Sequence, residues 1–176
     1  GRRDGKGTYT YNDGGSYSGF WKKGKKHGNG KQIWITGSTY EGDYVEGKRE
    51  GDGIAYSSKT KATLKGKFLD NDFVQGTKVY ENGAKRIGNF IDGKQHGKGQ
   101  YFFANGNKYI GDFVDGKSTG KGEFIFKSGT KLIGDFTDGN VNGFGELYYA
   151  NGDTYKGEFL NNLFHGVGTY THGDDG

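Results

Sequence analysis

The chain repeats itself about every 23 residues, and glycine marks the period. Most of its 37 glycines recur at fixed places in units that begin at residues 17, 40, 64, 86, 109, 132 and 155, with residues 1–16 as a partial unit. A period of this length is typical of arrays in which each supersecondary unit packs only on its neighbours. The sequence therefore predicts a single array over residues 1–176 rather than a globule around one closed core.

Each unit has the pattern of a β-hairpin. In the unit that starts at Tyr109, apolar and polar residues alternate through Phe113 and again around Phe124, with the period of two expected of strands. Asp115-Gly116 between them is typical of a hairpin turn. We therefore predict an all-β fold, an elongated, twisted, single-layer antiparallel meander of about seven and a half 23-residue hairpin repeats. Because the twist is right-handed, we expect one face to form a concave aromatic groove.

The composition supports a core made of rings. Only 30% of the residues are hydrophobic, yet 13 Tyr, 13 Phe and 2 Trp are present. Without cysteine the chain has neither disulfides nor thiolate metal sites. No apolar run approaches the ~20 residues of a membrane span. We expect a cytoplasmic protein and, because the chain starts within a unit and lacks an initial methionine, a piece of a longer one.

The repeated pattern Tyr-x-Gly-x-Phe-x-x-Gly-Lys-x-x-Gly-x-Gly-x-Tyr/Phe resembles the MORN (membrane occupation and recognition nexus) repeat along essentially the whole chain. A near-ideal instance runs from Gly88 to Tyr101. The resemblance implies a scaffold or adaptor at a cytoskeletal, ciliary or membrane-associated structure, with a partner peptide or helix bound along the groove. Similar arrays also precede lipid kinase and methyltransferase domains, so a regulatory array of such an enzyme is an alternative.

One region departs from the pattern. The unit that begins at Leu64 is one residue short and has Asn71 and Val74 where glycines are usual. The unit before it is one residue long and ends in Ser57–Lys61 without a turn glycine. We therefore predict an irregular region over residues 54–77, with a local bend or an altered hairpin.

Two features resemble a nucleotide-binding motif and a metal site, but both follow from the repeat. Gly111–Ser118 satisfies the phosphate-loop pattern G-x-x-x-x-G-K-[S/T], but the same frame recurs in other units, and a real phosphate loop opens a helix. The histidines 27, 96 and 165 lie three repeats apart, roughly 29 Å at ~4.8 Å per strand, and cannot share one metal ion. No nucleophile–base pair stands out. We predict a protein that is not an enzyme and uses no cofactor or metal.

The candidate binding residues fall into two groups. A protein partner would contact the aromatic groove at Trp34, Tyr101, Phe103, Phe124, Phe126 and Tyr149. Acidic phospholipid (phosphoinositide) is the alternative ligand, bound by Lys22, Lys23, Lys25 and Lys26 beside an aromatic residue. Nucleic acid is not expected, because lysines and aromatics are not interleaved on one face.

Charge is distributed unevenly along the chain. Residues 1–39 hold eight Lys or Arg against two acids, whereas residues 132–176 hold one lysine against seven acids. Opposite charge at the two ends of the array would favour a homodimer or head-to-tail assembly, since uncapped strand edges pair readily.

Overall fold

The computed structural model describes residues 2–173 as fifteen antiparallel strands in one sheet, in chain order, with no helix in this range. Gly1 and residues 174–176, the two ends of the predicted array, lie outside the described residues. The strands are β1 (Gly5–Thr10), β2 (Ser16–Lys22), β3 (Lys25–Ile33), β4 (Thr39–Val45), β5 (Lys48–Ser57), β6 (Ala62–Leu69), β7 (Asp72–Val79), β8 (Lys85–Ile91), β9 (Lys94–Phe102), β10 (Lys108–Val114), β11 (Lys117–Ile125), β12 (Lys131–Thr137), β13 (Asn140–Tyr148), β14 (Thr154–Leu160) and β15 (Leu163–Thr171). The all-β hairpin meander is thus confirmed.

The strands group into two compact units. Of the described residues, unit 1 holds 2–83 and 90–93, and unit 2 holds 84–89 and 94–173. Each unit has its own cluster of buried apolar residues. In β2 and β14, alternate residues are buried and exposed, so the core of each unit lies on one face of its sheet, which we call the aromatic face.

Two kinds of turn connect the strands. The turn within a repeat has two residues at positive φ, such as Asp115 at 50° and Gly116 at 82°, which matches the twist of the flanking strands. The turn between repeats is longer: in the turn after β9, the amide of Gly106 donates to the carbonyl of Phe103, and Gly106 has a φ of 91°. Both kinds of turn lie where the sequence predicts them.

A line of glycines crosses each unit strand by strand. Paired glycines lie opposite each other at the middle of the strands, namely 7, 19, 30, 42, 53, 66 and 76 in unit 1 and 99, 111, 122, 134, 145, 157 and 168 in unit 2. Without side chains, these residues leave a channel along the aromatic face.

The first tyrosine of a repeat fills this channel. Atoms of the Tyr109 ring lie where a Cβ on Gly111 or Gly122 would be placed. Its hydroxyl donates to the carbonyl of Asp112 at 3.3 Å. Tyr17, Tyr40 and Tyr155 donate to the corresponding carbonyls of their repeats at 3.1–3.3 Å. Each ring thus lies along the glycine pair, and its hydroxyl is fixed by a hydrogen bond to the backbone.

Edge-to-face ring pairs link one repeat to the next. In unit 1 the ring centroids of Tyr17 and Tyr44 lie 5.3 Å apart, and those of Tyr40 and Phe68 lie 4.9 Å apart. In unit 2, Tyr109 and Phe136 are separated by 4.9 Å. Such T-shaped pairs stabilise a fold by about 0.5–1.5 kcal/mol each beyond the area that they bury. Packing between neighbouring repeats therefore depends on rings.

The hairpin β6–β7 differs from the other hairpins. In the hairpin β10–β11, two extra residues bulge between the pairs Gly111–Gly122 and Asp112–Thr119. In β6–β7 only Val74 is extra. Its turn residues are Asp70 and Asn71, without glycine, as the turn of β14–β15 also is at Asn161 and Asn162. The connection from β5 to β6 is a shorter loop over residues 58–61.

The close contact between tyrosine and glycine makes one testable prediction. In the variant Gly53→Ala the new Cβ would lie 2.5 Å from the hydroxyl oxygen of Tyr40, so the ring must leave its channel. We expect the free energy of unfolding to fall by about 2 kcal/mol, the usual range for overpacking. Gly7→Ala is the matched control, because its Cβ meets nothing within 4 Å and should change stability by about 0.5 kcal/mol or less. Urea unfolding followed by circular dichroism measures both, and equal losses would contradict the tyrosine–glycine account.

Candidate functional site

Four of the six predicted groove residues form one row in unit 2. The ring centroids of Tyr101 and Phe103 lie 4.0 Å apart, those of Phe103 and Phe124 5.4 Å, and those of Phe124 and Phe126 4.8 Å. Tyr101, Phe103 and Phe124 are half-buried and pack against the buried cluster of unit 2. Phe126, at the end of the row, is 36% exposed. The structure thus brings these residues together on the surface of the aromatic face.

The other two predicted groove residues lie elsewhere. Tyr149 also packs against the cluster of unit 2, where its nearest ring is Tyr170 at 5.8 Å. Trp34 belongs to unit 1, is 37% exposed and lines an open concavity of ≈ 310 Å³ with Arg49 and Leu64. The predicted set is therefore divided between the two units.

Unit 2 has an apolar concavity on its aromatic face. Its volume is ≈ 400 Å³, and its lining residues are Phe124, Phe126, Leu132, Phe136, Gly139, Leu147, Phe159, Asn162, Leu163 and Phe164, none of them charged. A second concavity of ≈ 250 Å³ shares Phe124 and Gly139 with the first and adds Tyr101, Phe103, Arg86 and Lys117. The two concavities form a continuous surface along unit 2, which we call the apolar groove.

The tenth residue of the repeat, a position not recognised from the sequence, determines whether the aromatic face of a repeat is charged, polar or apolar. The tenth residue of each repeat pairs with the fifth, as Lys26 does with Trp21 and Val141 with Phe136, and therefore lies on the aromatic face. From the first complete repeat to the last, the tenth residues are Lys26, Arg49, Phe73, Gln95, Ser118, Val141 and Phe164.

The tenth residue is buried where the first residue is not tyrosine. The repeats that begin with Leu64, Arg86 and Leu132 have Phe73, Gln95 and Val141 as tenth residues, with at most 8% of each exposed. A Cβ on Gly134 would lie 2.7 Å from Val141, and one on Gly99 would lie 2.3 Å from Gln95. In these two repeats the tenth side chain covers the glycine channel in place of the ring. The signal was present in the sequence as a correlation between the first and tenth residues.

Gln95 is tied to the sheet by several hydrogen bonds. Its side-chain amide donates to the carbonyls of Ile87 at 2.8 Å and Gln100 at 3.2 Å. Arg86 donates from Nη1 to the Gln95 side-chain oxygen at 3.1 Å and to the carbonyl of Gly116 at 2.9 Å. The guanidinium of Arg86 also lies 4.0 Å from the centroid of Tyr101. These two polar residues thus occupy the place that a tyrosine fills in regular repeats.

The four lysines predicted to bind phospholipid do not share a surface. Lys26 lies on the aromatic face, whereas Lys22 and Lys25 pair with each other on the opposite face. Lys25 forms a 2.8 Å ion pair with Glu46. Lys23 is in the turn at a φ of 52°.

Burial shifts the pKa values of several groups on the aromatic face. It raises the pKa of Tyr17, Tyr40 and Tyr109 to about 12, and it raises that of Tyr44 further still. Tyrosine hydroxyls are protonated at neutral pH, and those of Tyr17, Tyr40 and Tyr109 donate to backbone carbonyls. Burial also lowers the pKa of Lys26 from its usual value.

The segment that resembles a phosphate loop is part of a hairpin. Gly111 lies in β10, Asp115 and Gly116 form the turn, and Ser118 lies in β11. The space beside Gly111 is occupied by the ring of Tyr109, whose hydroxyl would lie 2.4 Å from a Cβ there. The glycine therefore serves the packing of a ring.

The histidines are separated in the fold. His27 is in β3, His96 in β9 and His165 in β15. Among residues 2–173, no group of three His, Cys, Asp or Glu side chains is arranged to hold a metal ion. No helix in the described part of the chain is long and apolar enough to cross a membrane.

Comparison with known proteins identifies the repeat. The sequence profile of the MORN repeat matches residues 1–16, 17–39, 40–58, 87–108, 109–131, 133–154 and 155–176. Residues 59–86, which include the hairpin β6–β7, lie outside these matches. Comparison with curated protein sequences finds no match.

Two solved structures are similar to the chain at low identity. The TCP domain of SAS-4 (dCPAP) from Drosophila melanogaster, in complex with a proline-rich motif of Ana2 (dSTIL), is 21% identical with a TM-score of 0.46, over 88% of this chain and 90% of that chain. The wild-type TCP10 domain of CPAP from Danio rerio is 13% identical with a TM-score of 0.38, over 86% of this chain and 72% of that chain.

The exchange between the first and tenth residues is testable. Gln95→Ser removes the cover of the glycine channel and leaves the carbonyl of Ile87 without its donor. We expect a loss of about 2 kcal/mol in the free energy of unfolding. The double variant Arg86→Tyr with Gln95→Ser recreates the combination found at Tyr109 and Ser118, and should recover most of that loss. Thermal or urea unfolding of the two single variants and the double variant completes the cycle. A double variant no more stable than Gln95→Ser alone would show that the two positions do not compensate.

Proposed function

Because the chain belongs to the MORN repeat family, we propose that it is a non-enzymatic scaffold or adaptor that binds a segment of a partner protein. The binding surface is the apolar groove of unit 2. The observation that carries this proposal is the ≈ 400 Å³ concavity, whose lining contains eight apolar side chains and no charged one.

Some rings in this groove are exposed, whereas others are almost fully buried. Phe126 is 36% exposed. Phe164 is 53% exposed, whereas Tyr155 and Phe159, whose ring centroids lie 4.1 Å and 5.4 Å from its own, are at most 8% exposed. Continuous exposed apolar surface in a soluble protein marks an interaction site. Aromatic side chains at the centre of such a surface contribute most of the binding free energy in protein interfaces.

The shape of the groove favours a peptide segment over a small metabolite. The two concavities join at Phe124 and Gly139 and extend the surface from the repeat of Arg86 to the last hairpin. A small-molecule site is usually a closed cleft that buries most of its ligand. A segment that places apolar side chains into successive concavities fits an elongated, open surface of this kind.

Binding rather than catalysis is supported by how the polar residues of the aromatic face are used. Gln32 and Gln95 are buried, and their side chains form hydrogen bonds within their own unit. The hydroxyls of Tyr40 and Tyr109 donate to backbone carbonyls. These groups stabilise their own units, so in the apolar groove of unit 2 the exposed apolar rings are the means of recognition.

The cellular setting follows from the family resemblance. We propose that the scaffold acts in the cytoplasm at a cytoskeletal, ciliary or membrane-associated structure. Imaging of the tagged full-length protein in its native cell tests this, and a uniform distribution through the cytosol would count against it.

Truncation of the groove rings should weaken partner binding without unfolding the protein. Peptides selected from a random library against the wild-type chain serve as probes. We expect Phe103→Ala with Phe126→Ala to reduce their affinity at least tenfold, about 1.4 kcal/mol. Fluorescence anisotropy with a labelled peptide measures the loss.

Phe144→Ala is the matched control for this experiment. Phe144 is 61% exposed and pairs with Glu158 on the opposite face of unit 2. Its removal should leave affinity within twofold of wild type. Equal effects of the two sets of variants would place the binding surface elsewhere, and loss of the folded circular dichroism spectrum in the groove variants would assign the rings to the core.

A further inference from the structure

The aromatic face of unit 1 carries a row of three cations. Arg3 occupies the tenth position of the partial first repeat, and Lys26 and Arg49 occupy it in the next two repeats. The carbonyl of each accepts a hydrogen bond from a turn amide of the following repeat, at 2.8–3.1 Å from Gly24, Gly47 and Asn71. Equivalent bonds place the three residues at equivalent points of successive repeats. At ~4.8 Å per strand, neighbours in the row lie about 10 Å apart.

Each of these cations lies over aromatic rings. The guanidinium carbon of Arg3 is 3.7 Å from the centroid of Tyr9. Lys26 Nζ is 5.0 Å from the centroid of Tyr17. The guanidinium carbon of Arg49 is 5.3 Å from the centroid of Phe68. Stacking fixes a guanidinium but leaves its N–H donors, which lie in its plane, free to bind an anion.

No carboxylate of the described residues pairs with this row. The ion pairs of unit 1 are Lys25–Glu46, Lys31–Glu41, Lys48–Asp70 and Lys67–Asp52. The acceptors that the row does have are neutral: Gln32 for Lys26 and the carbonyl of Asn71 for Arg49. Four carboxylates of unit 1 are thus paired with other lysines, and the aromatic face keeps these three positive charges without a carboxylate partner among the described residues.

We propose that the aromatic face of unit 1 binds an acidic peptide segment, whose carboxylates meet Arg3, Lys26 and Arg49 in turn. An extended chain in the polyproline II conformation returns to the same side every three residues, about 9.3 Å along its axis. Acidic residues at every third position therefore match the spacing of the row. This surface involves only unit 1, and the inference goes beyond the proposed function of the apolar groove.

The arrangement of the row favours a peptide over other anions. Cations whose backbones lie about 10 Å apart cannot converge on one phosphate group. Bases of a nucleic acid need open ring faces for stacking, but Tyr17, Tyr40 and Tyr44 are at most 2% exposed. A chain with regularly spaced carboxylates can meet all three cations without disturbing the rings.

The test compares two charge-matched pairs of variants of the full chain. Lys26→Gln with Arg49→Gln removes two cations from the aromatic face. Lys6→Gln with Lys65→Gln removes two exposed lysines from the opposite face, where they pair with Phe20 and Ile54. The probe is a fluorescent 12-residue peptide with glutamate at every third position, and its reference is the same peptide with glutamine there.

We expect wild type to bind the glutamate peptide and not the glutamine peptide in anisotropy titrations. The aromatic-face pair should lose at least tenfold in affinity, and the opposite-face pair less than twofold. Phe103→Ala with Phe126→Ala should leave this binding unchanged, which separates the result from the apolar groove. Lys26→Met with Arg49→Met, which keeps the aliphatic part over the rings, replaces the glutamine pair if thermal melting shows that the latter is unfolded.

Three outcomes would overturn the proposal. Equal losses of affinity in both pairs of variants would show that binding depends only on the net charge of the chain. Binding to vesicles with phosphatidylinositol 4,5-bisphosphate that depends on Lys26 and Arg49, without peptide binding, would identify a lipid headgroup as the ligand. A dimer in sedimentation that dissociates in the aromatic-face pair would identify a second copy of the chain as the occupant.

Discussion

The structure depends on a tyrosine ring lying over a pair of glycines. Residues 2–173 form one sheet and include no helix, so each unit must build its core from what one face of the sheet can hold. A ring that lies flat over Gly111 and Gly122 covers backbone that would otherwise face water, and its hydroxyl still reaches a carbonyl. Glycine is required at these two positions because a Cβ on either residue would lie only 2.3–2.4 Å from the tyrosine hydroxyl oxygen.

The same contact determines in which repeats the tenth residue can vary. Where tyrosine fills the glycine channel, the tenth residue is not needed as cover and is free to be Lys26, Arg49, Ser118 or Phe164. Where tyrosine is missing, Gln95 and Val141 are drawn into the channel and buried. Structural and functional requirements thus compete at one position of the repeat. The regular repeats are the ones that can present a binding side chain on the aromatic face.

Much of the fold could be predicted from sequence, because period, turn glycines and alternating rings all act within one repeat. The distribution of the candidate site residues between the two faces of the sheet could not be predicted. The two-residue bulge at Gly120 determines which residues after the turn lie on the aromatic face. When alternate residues are assigned to opposite faces without this bulge, the tenth residue of the repeat is not recognised as part of the aromatic face. For the same reason Lys22 and Lys26 read as one cluster in sequence although they lie on opposite faces. Their separation depends on pairing across the hairpin.

The structure shows on which face of the sheet the charged residues of unit 1 lie. In unit 1, lysines at the turns and on the opposite face meet carboxylates such as Glu46 and Glu41, and exposed pairs of this kind largely cancel. The cations over the rings are not cancelled, and the negative faces of the rings stabilise them there. Three of the positive charges of unit 1, at Arg3, Lys26 and Arg49, are thus presented on the side of the sheet that also holds its core. The rings that stabilise the fold therefore also set the position and spacing of the charges that a partner would meet.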